Sequence, residues 1–172
     1  MSQLYQWLVF LHVLGVFGFL LGHGASAVIT FRLRRERDLA RVSALLDLSR
    51  SGNTVANSCL LVFLLAGIIA GFMGNWWGQG WIWAALGLLV ALAVAMFALG
   101  SGPLERVRAL LVAWERLGAA TDAPEGAAEV NMKSSLEKQI AALLDATHPM
   151  LISTLGAGAL AVILWLMLFK PF

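Results

Sequence analysis

Apolar residues run almost unbroken through four stretches of the chain, and polar residues crowd into the segments between them. The stretches are Leu4–Phe31, Val55–Gly74, Trp81–Gly100 and Pro149–Phe169. A helix crosses the hydrocarbon core of a bilayer with about 20 apolar residues, so each stretch predicts one transmembrane helix. The first is long enough to tilt or to project beyond the core. The expected fold is all-α: a single polytopic domain over residues 1–172, with four transmembrane helices in a bundle.

The segments between the spans carry a different period. In 32–54 apolar residues recur at Leu33, Leu39, Val42, Leu45, Leu46 and Leu48, much of it at helical spacing. This predicts either a continuation of the first helix or a short amphipathic helix on the membrane surface. Ser51-Gly52-Asn53-Thr54 is expected to break that helix and cap the second span. In 101–148, Ser101 or Gly102 can cap, Pro103 suits a first turn and Gly118 an end. Leu104, Val107, Leu110, Leu111, Trp114 and Leu117 form one stripe, and Leu136, Ile140, Leu143 and Leu144 a second. Helices over Arg106–Gly118 and Met132–Ala146, joined by a polar turn, predict a cytoplasmic amphipathic hairpin between spans three and four, packed through Leu110, Trp114, Ile140 and Leu144.

Charge gives the direction of insertion. Of the 12 lysines and arginines, all but Lys170 fall in Arg32–Arg50 or Arg106–Lys138. Positive charge is retained on the cytoplasmic side, so both long loops are expected there and both termini outside. No basic residue precedes Arg32, whereas a cleaved signal peptide begins with them. The first span is therefore read as uncleaved despite Ala25-Ser26-Ala27. Trp76, Trp77, Trp81, Trp83 and Trp165 then lie at the outer interface, where indole rings settle.

Composition agrees: 60% of residues are hydrophobic and 13% charged, where a soluble domain has roughly a quarter charged. Mean hydropathy is +0.82. The calculated pI of about 9.1 does not point to nucleic acid, because net charge is only +2 and the basic residues flank apolar spans. One cysteine, Cys59, excludes an intramolecular disulfide and a Cys-cluster metal site.

Candidate chemistry rests on the histidines, since ionisable residues inside a span are costly and mark function. His12 and His23 differ by roughly 20° around a helix and lie roughly 16 Å apart along it. His148 precedes the fourth span, at the depth expected for His23. Ser26, Thr30, Asn53, Thr54, Asn57, Ser58, Cys59, Ser101, Ser153 and Thr154 are expected at the same level. Two readings stay open. One is capping and helix–helix adhesion by these polar groups. The other is a cofactor site, with His23 and His148 as axial ligands of a b-type haem iron, Asn57 and Ser58 orienting a ring nitrogen, and His12 as alternate ligand. Gly18, Gly22 and Ser26, with Gly67 and Gly71, and Gly156 and Gly158, suit close helix packing. The absence of Asp, Glu, Lys and Arg from the spans argues against a carrier driven through an intramembrane carboxylate. No hydrolase constellation is visible.

Phe10–Gly24, "FLHVLGVFGFLLGHG", with Leu11-His12-Val13-Leu14 at its start, resembles the first helix of small bacterial membrane proteins of the copper resistance D superfamily. The four-span plan resembles an uncharacterised family of predicted integral membrane proteins. The resemblance implies a bacterial inner-membrane location and offers His12 alone as a ligand to haem or copper. Three functions follow as expectations: a haem-binding or redox-associated membrane protein; a non-catalytic accessory or assembly subunit that forms a homo-oligomer or joins a larger complex through the hairpin; and a small permease or metal-handling protein.

Overall fold

A computed structural model describes residues 3–119 and 126–171. The described chain is helical: α1 (Gln3–Leu33), α2 (Leu39–Met73), a short 3-10 turn at Trp76–Gly78, α3 (Gly80–Met96), a π turn at Phe97–Ser101, α4 (Gly102–Ala119), α5 (Ala127–Asp145) and α6 (Pro149–Phe169). Four helical segments are long and apolar enough to cross a membrane. Pro149–Phe169 has the bounds expected of the fourth span.

The first correction concerns residues 51–54, which stay helical inside a 35-residue α2. The two hydroxyls expected to cap a new helix bond back along the existing one instead: Ser51 to the Asp47 carbonyl at 3.2 Å and Thr54 to the Arg50 carbonyl at 3.0 Å. Gly52 is where α1 comes close. A Cβ built there would lie 3.0 Å from Ser26 Oγ and 3.3 Å from the Gly22 carbonyl. The break falls earlier, at 34–38, where Asp38 accepts from the Ala40 N–H at 3.0 Å and caps α2. Rather than lying along a membrane surface, the amphipathic stretch extends the second span by about four turns.

The second correction concerns the end of span three. Neither Ser101 nor Gly102 caps a separate helix, because α3 passes into α4 through the π turn without a break. The Gly102 N–H donates to the Phe97 carbonyl, five residues back. Pro103 explains the wider turn: it has no N–H to donate and its ring crowds the carbonyl four residues before it. The hairpin helices are also longer than their stripes, starting at Gly102 and Ala127. Of the turn expected between them over 119–131, residues 127–131 belong to α5, and 120–125 lie outside the described residues.

Packing sorts the helices into pairs. α1 lies along α2, α3 lies on α6, and α1 touches α6. Small residues bring α1 and α2 together: a Cβ on Gly22 would stand 2.8 Å from the Gly52 carbonyl, and one on Gly15 2.7 Å from Phe63 Cβ. The best-buried core lies at the charged end. Ile29 and Leu33 of α1, Val42 and Leu46 of α2, Val107 and Leu111 of α4, and Ile140 and Leu144 of α5 form one cluster. Val107 and Val42 are completely inaccessible. This head is tied across elements by Arg108, which donates to the Leu46 carbonyl at 2.8 Å, and by the Arg37–Asp145 ion pair at 2.8 Å. Of the expected seam, Ile140 and Leu144 are buried, Leu110 packs at the edge, and Trp114 lies half-buried with Nε1 donating to Glu137 at 3.2 Å. Elsewhere the apolar helices expose large side chains, among them Leu21, Phe72, Leu164 and Leu168.

Candidate functional site

The α1 histidines occupy two different environments. His12 Nδ1 lies 2.7 Å from the Phe63 carbonyl of α2, so the Nδ1–H donates to it. The ring meets Phe63 edge-on at 5.7 Å. Gly67 leaves the space it fills, since a Cβ there would be 2.7 Å from Nδ1. A polar ring in an apolar span is thereby satisfied by a backbone carbonyl of the neighbouring helix.

His23 stacks on Phe19, with ring centres 5.6 Å apart and planes 11° from parallel. Its Nε2 lies 3.8 Å from the Cβ position of the buried Gly156 on α6, and Met96 Cε of α3 lies 3.0 Å from that same point. Three helices therefore meet at Gly156, next to the π turn.

The structure does not bring His23 and His148 to one level. His148 is the exposed, non-helical residue before α6. Eight residues separate it from Gly156, roughly 12 Å of helix. The sequence put both at the same depth by counting His23 as near the cytoplasmic end of a span that runs to Phe31. His23 lies ten residues before the end of α1 at Leu33. Asn57 and Ser58 are both exposed, because α2 turns Ser49, Ala56 and Phe63 inward instead. Among the described residues, no group of three or more His, Cys, Asp or Glu side chains is placed to hold a metal.

The polar slab divides between contacts across helices and bonds within them. Ser26 Oγ donates to Asn53 Oδ1 at 3.0 Å and approaches the Ser49 carbonyl at 3.3 Å. Thr30 and Thr154 bond their own helices. Cys59 packs against Gly18.

Two features at the charged end were not singled out from sequence. One is an open groove of about 660 Å³ beside Trp114, between the start of α2, α4 and α5. Val42, Leu111, Ile140 and Leu144 form its floor, and Arg37, Asp38, Glu115, Glu137 and Lys138 are on its rim. The other is a basic pocket between α1 and α2. Glu36 lines both. Its carboxyl is held below the usual range by the backbone N–H groups of Asp38 and Arg37, at 3.1 and 3.0 Å. The signal for either feature was the charged residues between apolar positions, but their grouping depends on how α2 and the hairpin pack.

The opposite end is aromatic. Lys170 Nζ lies 4.2 Å from the Trp76 ring centre and 5.8 Å from that of Trp81. Trp83 Nε1 donates to the Trp77 carbonyl at 3.1 Å.

Compared with protein-family models, curated proteins and solved structures, the chain finds no match. The resemblance of the first span therefore rests on Leu11–Leu14 and its glycines alone.

Proposed function

We propose that this chain is a non-catalytic accessory subunit of the bacterial inner membrane, anchored by four spans and presenting the α2–α4–α5 head to the cytoplasm. One observation carries the reading: the deepest core serves a charged head with an open groove, while the candidate ligands are dispersed or engaged in packing. His12 is held by a carbonyl, His23 is stacked against Phe19, and His148 is exposed. The groove beside Trp114 has an apolar floor and a rim of both signs, the character of a protein–protein contact surface.

A photo-crosslinking residue at Glu115, on the groove rim, tests this in cells. The reading predicts a discrete adduct that is lost when Lys138 on the facing helix is changed to Glu. Absence of an adduct from Glu115 and from Ser134 alike would reject the head as a working surface.

Haem is the second reading, and one observation favours it. His23 Nε2 and the Met96 side chain converge on Gly156 from two helices, and His/Met is a known axial pair. An absorption spectrum of protein purified in mild detergent decides between the readings. Redox-sensitive Soret and α bands lost in His23→Ala would replace the accessory reading; a colourless protein would retire the haem.

A further inference from the structure

We propose that the pocket between the end of α1 and the start of α2 binds the phosphate headgroup of an anionic glycerophospholipid. The pocket has a volume of about 660 Å³. Arg32, Arg35 and Arg41 line it together with Phe31, Leu45 and one acid, Glu36. The inference rests on α1 and α2 spanning the membrane, and goes beyond the accessory role of the head.

Position comes first. The apolar run of α1 ends at Phe31 and the arginines begin at Arg32, so the pocket stands where the hydrocarbon gives way to headgroups. Availability of charge comes second. Among the described residues, Arg32 and Arg35 have no side-chain hydrogen bond or ion pair. Arg41 makes only a 3.4 Å contact with Asp38, its side chain 74% exposed. Glu36, the one acid in the lining, already accepts from two backbone N–H groups through Oε1. Three arginines and one engaged carboxylate in the lining leave an excess of donors, and guanidinium forks match phosphate oxygens in pairs. Third, Phe31 is 42% exposed and Leu45 packs at the head's edge. They offer apolar surface to the upper part of an acyl chain, which a free phosphate does not need. A general excess of basic residues on one side of a membrane explains arginines at this depth. It does not explain why three of them line one pocket, two without a side-chain partner among the described residues.

The test uses the full chain in neutral-detergent micelles, with the thermal unfolding midpoint as readout. The probes are added phosphatidylglycerol, phosphatidylcholine, or inorganic phosphate at matched concentration. Phosphatidylglycerol should raise the midpoint by several degrees over phosphatidylcholine, and phosphate should not. The paired change Arg32→Gln/Arg35→Gln should remove most of that increment while leaving the midpoint in phosphatidylcholine unchanged. Arg106→Gln/Arg116→Gln, an equal loss of charge outside the pocket, should keep it. Should the pocket pair fail to fold, Arg41→Gln on the other wall must show the loss instead. Equal increments in the pocket and control pairs, or none in the wild type, would overturn the site. A shift reproduced by phosphate alone would overturn the lipid. Resistance of the protein to alkaline extraction from membranes tests the spans separately, so failure of the site and failure of the spanning reading are distinguishable.

Discussion

Gly22 shows how much one atom matters in this chain. Its missing side chain lets the backbones of α1 and α2 approach, and the nearest obstacle to a Cβ is the Gly52 carbonyl at 2.8 Å. Backbone cannot swing aside as a side-chain tip can. Gly22→Ala should therefore cost about 1–3 kcal/mol, read as a lower midpoint in a detergent melt. Gly24, with nothing within 4 Å of its Cβ position, should accept alanine without loss; equal effects at both would refute the close approach. Ser26→Ala removes a buried hydroxyl that donates to Asn53, and contacts of this kind between membrane helices contribute about 0.6 kcal/mol. Glu36 gives a pH effect. Its carboxyl lies below its ordinary value because the folded turn stabilises the charged form. That stability is present above the ordinary value of 4.5 and is lost as pH falls through the lower folded value. Glu36→Gln should flatten the acid limb of the midpoint–pH curve. The close packing at Gly22 and Ser26 was legible from their fourfold spacing, but the use of Gly52 was not. A Ser-Gly-Asn-Thr run reads as a helix break unless the partner helix that fills it is known.

At the scale of elements, the spans were legible because lipid imposes one long rule, about 20 apolar residues per crossing. The ends of the amphipathic helices were less so. α4 and α5 continue past their apolar stripes, since helix propagation needs only compatible residues and not a buried face. The stripes themselves identified the core: Val107, Leu111, Ile140 and Leu144 are all at most 3% exposed. Leu144→Ala should cost about 2–5 kcal/mol, whereas Met132→Ala, at an exposed position of α5, should cost little. If α4 and α5 were detached from the rest, Leu46→Ala on α2 would leave them unaffected. The shared core predicts instead that Leu46→Ala exposes α5 to limited proteolysis.

For the whole molecule, the histidine site was the least legible part. Depth along a helix follows from counting residues, and His23 stands ten residues short of the end of α1. Rotation does not follow from counting at all: Asn57 and Ser58 are exposed on α2, and His23 meets α6 at Gly156 rather than at its start. What remains is a molecule divided by chemistry, with a charged helical head at one end and an aromatic cluster around Lys170 at the other. The account's central claim is that these ends lie on opposite sides of a membrane, with the head inside. Site-directed labelling tests it most directly. In a Cys59→Ser background, Gly78→Cys and Glu115→Cys are exposed in turn to a membrane-impermeant maleimide in intact spheroplasts. The account predicts that Gly78→Cys reacts at once and Glu115→Cys only after permeabilisation. Labelling of Glu115→Cys from outside, or equal labelling of both, would contradict it.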